Sequence, residues 1–355
     1  MKILLIKQTS LGDVIHATLA LEAIRRQWPQ AEIHFMVDRA CYPVLQFNPH
    51  IQRFFFYEHQ RFRALLRQSK RNLPRMAQAI KALIKEIRQQ EYDLAIDLQG
   101  IERSALFLYA ARAKAKFIKG RKKPLLKNFR NPDRNDHALM ELRGTLALAG
   151  IDASADFPRI YSAPDAEFSL NRIIPGQIRQ ILQDDKRQLV LISPFTSWST
   201  KNVPLSTWLQ SIRQLADARP QCCFAFIATA EHKAGIDRAI KKVNLPETIK
   251  QRIYNLAGLT NLQQLISLIK MADVLMCSEG AAGHIASAVN TPVVVVFGPT
   301  RPSRVGPWGS LSRIVQKPDI QCLACYKRSC QNWICMLAIE TRISKAAAEL
   351  LGRRN

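Results

Sequence analysis

The chain has 355 residues, 47% of them hydrophobic, which supplies more core than one domain normally holds and makes two domains the first expectation. No run of about 18 apolar residues occurs, and the opening Met1 to Lys7 is too short and too quickly followed by polar residues to be a signal peptide. The protein is therefore expected in the cytoplasm, where eight cysteines do not read as a disulfide scaffold. The formal charge of +24 concentrates anionic partners such as nucleic acid, anionic lipid or a phosphorylated glycolipid.

The charge is not a basic tail, because residues 1–160 carry +13 and residues 161–355 carry +11. It clusters locally instead. Eight basic residues, Arg61 and Arg63 among them, separate Glu58 from Glu86 with no acid between, and ten more lie between Arg103 and Arg130, including Lys122 and Lys123. A charge run is commonly a solvated face. Two long acid-free segments in one half make an anion-binding role as good a reading.

In chain order, residues 2–6 form a short apolar run ending in Gln8-Thr9-Ser10-Leu11-Gly12-Asp13. Apolar positions then recur at helical spacing through Val14, Ala17, Leu21 and Ile24, which predicts strand, tight turn and helix. Residues 33–37, 54–56 and 94–98 are further strand candidates, the last following an amphipathic run over 74–90. Alternating strands and helices imply parallel βαβ units. After an irregular stretch over 151–175 with Pro158, Pro164 and Pro175, the pattern restarts with strands at 189–194, 224–228, 274–277 and 293–297, and a helix at 262–271.

The predicted fold class is therefore α/β, with two parallel sheets in succession. The domains expected are 1–165, 166–337, and a C-terminal helix over 338–355 that is free to pack back on the first domain. Ligands of such sheets bind beyond the carboxyl ends of the strands, so chemistry is expected in a cleft between the domains.

Four places carry candidate chemistry. Asp13 lies in the turn after the first strand, where a carboxylate either caps the helix or acts as a general base on an acceptor hydroxyl. The stretch Ser193 to Lys201 gathers hydroxyls at another strand end; it is either an ordinary polar loop or a diphosphate holder in which Lys201 neutralises a leaving oxygen. Ser278-Glu279-Gly280-Ala281-Ala282-Gly283-His284 joins a buried strand to a helix, and its small residues let a ligand approach exposed amides. There Glu279 is placed to accept from ribose hydroxyls, while His284 also fits a packed helix position. Cys322, Cys325, Cys330 and Cys335 have a spacing that admits tetrahedral zinc, but the second pair lacks the C-x2-C bite, so free thiols are preferred and no metal is assigned.

These pieces, in this order, resemble the lipopolysaccharide heptosyltransferase family, over Met1 to about Ile339. The resemblance rests on Lys2-Ile3-Leu4-Leu5-Ile6-Lys7 leading to Leu11-Gly12-Asp13-Val14-Ile15-His16, on Tyr92-Asp93-Leu94-Ala95-Ile96-Asp97-Leu98-Gln99-Gly100, and on Asn255-Leu256-Ala257-Gly258-Leu259-Thr260. It ends on His284-Ile285-Ala286-Ser287-Ala288 through Phe297-Gly298-Pro299-Thr300.

The family implies a GT-B fold, two Rossmann-like domains with parallel sheets facing a central cleft. It also implies an ADP-activated heptose donor in the C-terminal domain and a Kdo-bearing lipid A acceptor in the N-terminal domain. Asp13 falls on the family's catalytic base. Thr196, Ser197 and Lys201 fall on the diphosphate loop, Glu231 on a carboxylate near the ribose or heptose, and Thr260 on a backbone contact to adenine. Glu279-Gly280-Ala281 stands where the family usually has Asp, then Ser or Thr, then Gly, so one hydroxyl contact is lost there.

Arg61, Arg63, Gln99, Lys122 and Lys123 are the expected acceptor contacts, and the basic segments are expected to meet the anionic inner-membrane surface. The resemblance implies an inverting mechanism with no required cofactor, carried out by a monomer that binds no nucleic acid. Two rivals are weaker. A dinucleotide-dependent enzyme lacks its G-x-G-x-x-G after residue 6, and a nucleic-acid module has charge without the interleaved aromatics or a known motif.

Overall fold

The computed structural model describes residues 1–119, 137–309 and 311–352. The chain divides into two compact units, Met1–Tyr161 and Ser162–Asn355.

The first unit runs β1 (Lys2–Ile6), α1 (Leu11–Gln27), β2 (Glu32–Val37), β3 (Ile51–Phe56), α2 (His59–Gln68), α3 (Leu73–Arg88), β4 (Glu91–Asp97), α4 (Glu102–Ala110), β5 (Arg112–Ile118) and α5 (Ala138–Leu148). Its five strands are all parallel, in the order β3-β2-β1-β4-β5. Ile3, Leu4, Leu5 and Ile6 are completely buried, as expected of a central strand covered on both faces. The chain moves outward from β1 to β3 and then returns to place β4 on the other side of β1. That reversal leaves the segments after β1 and β4 side by side at a topological switch point.

The second unit repeats the plan. It contains α6 (Ala166–Ile173), α7 (Gly176–Gln183), β6 (Gln188–Ser193), α8 (Leu205–Ala218), β7 (Cys222–Phe226), α9 (Lys233–Lys242), α10 (Glu247–Lys250) and β8 (Ile253–Asn255). There follow α11 (Leu262–Met271), β9 (Val274–Ser278), α12 (Ala281–Ala288), β10 (Val293–Phe297), α13 (Pro302–Val305), β11 (Ser312–Gln316) and α14 (Glu340–Leu351). The strand order is β11-β10-β9-β6-β7-β8, again all parallel, with the switch between β6 and β9. The start of α11 is set by a capping box, in which the Asn261 side chain accepts from the Gln264 amide at 3.0 Å and Gln264 Oε1 accepts from the Asn261 amide at 2.9 Å.

Three strands and one helix depart from the sequence expectation. β5 reads Arg-Ala-Lys-Ala-Lys-Phe-Ile and lies at a sheet edge, where lysines are tolerated and discourage pairing with another chain, so it looked like part of a basic run. β8 has only three residues, and β11 is the opposite edge strand of the second sheet. The stretch read as irregular over 151–175 contains α6. Within the second unit the C-terminal helix α14 packs on α8, β9, β10 and β11, with Ile343, Ala347, Leu350 and Leu351 in the same core as Trp208 and Ile212. No helix among the described residues is long and apolar enough to cross a membrane.

Candidate active-site loops

In the first unit the candidate residues gather on the segments that follow β1 and β4. Asp13 is the third residue of α1, and its Oδ2 accepts from the Ser10 hydroxyl at 3.2 Å and the Ser10 amide at 3.4 Å. Capping therefore does occur. The cap and the nearby ammonium both fall on Oδ2, and the side chain is 46% exposed. The Lys7 ammonium stands 3.7 Å from the same Oδ2. Partial burial raises the Asp13 carboxyl, but Lys7, with His16 and Lys119, reverses this and holds it below the ordinary carboxylate range. The carboxylate is ionised at neutral pH, as a base must be.

Gln99 does not project freely toward a ligand: its Oε1 accepts from the Gln8 amide at 3.1 Å and the Thr9 amide at 3.0 Å, clamping the turn that leads to Asp13. Asp97, at the end of β4, accepts from the Gln99 and Gly100 amides through Oδ1 at 2.8 and 3.1 Å. Its Oδ2 is buried and accepts no hydrogen bond, and burial pushes its carboxyl up to about 6. Gly100 is required by the turn, since it has φ +67° and a Cβ there would lie 1.9 Å from the Lys119 carbonyl oxygen. Arg61 is an exposed residue of α2 ion-paired with Glu58 at 2.6 Å. Arg63 belongs to α2 as well, and Lys122 and Lys123 lie outside the described residues.

In the second unit the loop after β6 meets the turn after β9. Thr196 is held by Asn202, whose Oδ1 accepts from the Thr196 amide at 2.7 Å and lies 3.0 Å from the Thr196 hydroxyl. Ser278 fastens the same loop, donating to the Pro194 carbonyl at 2.8 Å and accepting from the Val203 amide at 3.1 Å. Lys201 is ion-paired with Glu279, and its ammonium lies 4.5 Å from the Trp198 ring centre. Glu279 also accepts from the Thr300 hydroxyl at 2.7 Å. Gly280 caps α12, and a Cβ there would come within 3.0 Å of the Thr196 methyl, so its smallness brings the two segments together. The smallness of Gly283 serves packing instead, against Val295 and Cys277. Ser197 is exposed, and His284 is partly buried in the first turn of α12.

Glu231 and Thr260 follow β7 and β8. Glu231 is exposed and accepts from the Thr229 hydroxyl at 2.8 Å. Gly258, with φ +77° and no room for a Cβ beside Ala230, lets the Thr260 loop approach the Glu231 loop. Next to it Phe195 and His232 stack with centroids 3.9 Å apart. The four clustered cysteines sit on the segment after β11, with Cys335 buried and the other three exposed. Among the described residues no group of three or more His, Cys, Asp or Glu is arranged to hold a metal ion. That segment braces the Lys201 loop instead. Its Lys327 carbonyl accepts from Thr200 at 2.7 Å and from the Trp198 indole at 3.2 Å, and its Trp333 indole donates to the Thr200 carbonyl at 3.1 Å.

Sequence reasoning overlooked Lys7, Asn202 and Trp198. Lys7 left a signal, a lone charge closing an apolar strand. Asn202 and Trp198 left none apart from standing in the polar loop.

Two Rossmann-type units, each with its polar residues collected at the switch point of a parallel sheet, make up the GT-B fold. The chain belongs to glycosyltransferase family 9 (heptosyltransferase), whose family model matches residues 80–334. It is 27% identical to lipopolysaccharide heptosyltransferase 1 of Pseudomonas aeruginosa, over 93% of this chain and 87% of that protein. It is 26% identical to lipooligosaccharide heptosyltransferase 2 of Haemophilus ducreyi, over 90% of this chain and 89% of that one. Among solved structures, the ADP-heptose LPS heptosyltransferase II of Escherichia coli superposes with a TM-score of 0.72 at 20% identity, covering 100% of this chain and 99% of that one.

Proposed function

We propose that this heptosyltransferase acts in lipopolysaccharide core assembly, moving a heptose from an ADP-activated donor to Kdo of the inner core. The observation that carries the reading is Asp13: an ionised, half-exposed carboxylate at the carboxyl end of the first sheet, with Oδ2 engaged by the helix cap. Its Oδ1 takes the proton of an acceptor hydroxyl as the hydroxyl oxygen attacks the anomeric carbon. The bond from that carbon to the diphosphate breaks with its electron pair passing to ADP, and the configuration inverts. Lys201 and the amides at the start of α12 balance the growing negative charge, and no step requires a metal or other cofactor. Thr196 and Ser197 hold the diphosphate, Glu231 and Glu279 the sugar hydroxyls, and Thr260 the adenine.

The acceptor's phosphates and carboxylates, and an anionic inner-membrane surface, answer the basic segments that include Arg61, Arg63, Lys122 and Lys123. The relatives include enzymes named for the first and the second heptose, and assignment to the first is the part most open to test. Purified protein is incubated with ADP-heptose and either Kdo-lipid A or its singly heptosylated form. Product only from the unheptosylated acceptor supports the reading. Product only from the heptosylated one assigns a later heptose, and product from neither overturns the donor or the acceptor class.

A further inference from the structure

Lys7 is the first residue past β1, and its amide donates to the Met36 carbonyl at 3.0 Å, so the sheet ladder continues through it and fixes where its side chain starts. The residue is buried, with its side chain 5% exposed. An ammonium taken out of water is costly unless an anion compensates it. The anion in reach is Asp13 Oδ2 at 3.7 Å, and Asp97, paired in register with Ile6 of the same strand, lies on the β4 side with its Oδ2 buried and unpartnered. The residues between Lys7 and Asp13 are themselves tied down, since Gln99 holds the Gln8 and Thr9 amides and Ser10 caps α1.

We infer that Lys7 is a positioning residue for catalysis: from inside the fold it holds Asp13 Oδ2 so that Oδ1 stays ionised and turned to the acceptor hydroxyl. Lys7 itself is too buried to touch substrate, and its action runs entirely through Asp13. The charges facing this pair come from every neighbouring element. His16 lies on α1, Lys119 follows β5 and is paired with Glu141 of α5 at 2.9 Å, Asp97 ends β4, and Cys41 stands near Asp13 with its thiol pushed up to about 12 by burial. Burial lowers the Lys7 ammonium and the two carboxylates oppose that fall, while Lys119 adds to it. With Lys7 removed, the smaller effects of His16 and Lys119 are left to oppose that of burial on Asp13.

The inference rests on Asp13 being the base, so the experiment carries both. Full-length Lys7→Met, Lys7→Arg and Asp13→Asn are compared in kcat, acceptor KM and the pH profile of kcat/KM, with ADP affinity as the check on folding. Asp13→Asn is expected to abolish transfer. Lys7→Met is expected to lose about ten- to a hundredfold in kcat through misplacement of the base, with acceptor KM near wild type. Its acidic limb should move up by about one pH unit or more, because the opposite charge that lowered the carboxyl is gone, and Lys7→Arg should return that limb toward wild type. If Lys7→Met does not fold, Lys7→Gln makes the same test with a polar head. Wild-type kcat and acidic limb in the Lys7 variant, beside a dead Asp13→Asn, overturn the inference, as does a change confined to acceptor KM. A fully active Asp13→Asn overturns the assignment of the base instead.

Discussion

The Lys201 ammonium is ion-paired to the Glu279 carboxylate, a contact that ties the loop after β6 to the turn after β9 across the switch point of the second sheet. Both side chains are mostly buried, Glu279 to 7% exposure. The same cation serves two partners in the proposed reaction, because a bound diphosphate must share it with Glu279.

Lys201→Ala is expected to weaken ADP binding and slow turnover together, the latter by about 10²–10³-fold, as for loss of one charge-stabilising contact. It should also lower stability by roughly 3 kcal/mol, since removing one partner of a mostly buried ion pair leaves the Glu279 carboxylate without that cation. Donor titration, single-turnover kinetics and denaturant unfolding read the three effects. A change in acceptor affinity alone would remove Lys201 from the donor site.

Asp13→Ala removes the proposed base and a cap at once. Transfer should fall by about 10²–10⁴-fold with ADP affinity nearly unchanged, and unfolding should show a loss of about 1 kcal/mol from the start of α1. Near-normal turnover with that stability loss would reduce Asp13 to its capping role.

Asp97 predicts a pH dependence of stability with a defined sign. Its folded carboxyl, raised to about 6, binds a proton more tightly than in the unfolded chain, so this group favours the folded state below about pH 4. That advantage, roughly 3 kcal/mol, is lost as pH rises through about 4 to 6. Asp97→Asn, which cannot ionise, should flatten this part of the curve. Parallel unfolding curves for variant and wild type at pH 4.5 and 7.5 would show that Asp97 does not titrate there.

Neutralising Arg61, Arg63, Lys122 and Lys123 together is expected to raise the acceptor KM and weaken binding to anionic vesicles, with donor affinity unmoved. Each basic residue near such a surface contributes about 1 kcal/mol, and added salt should imitate the substitutions by screening. Glu58 already balances the charge of Arg61 locally, so Arg61 should contribute less than an unpaired charge would. Unchanged kinetics, vesicle binding and salt response in the quadruple variant would make these charges a solvated face.

The amino-acid sequence by itself determined the α/β class, the central strands and the residues at their carboxyl ends. β1, β9 and β10 are covered on both faces and so appear as unbroken apolar runs. Asp13, Lys201 and Glu279 were legible because polar residues directly after buried strands are where such sheets bind ligands. Edge strands were not legible, since β5 needs to be apolar on only part of its surface and carries lysines on the rest. Only the tertiary structure decided which strand ends are neighbours. The placing of β4 beside β1 and of β9 beside β6 brings Asp97 toward Lys7 and Glu279 onto Lys201. Hydrophobic periodicity says that a strand is buried without saying which strand lies beside it, so the contacts that gather around Lys7 and Lys201 exist only once the two sheets have formed.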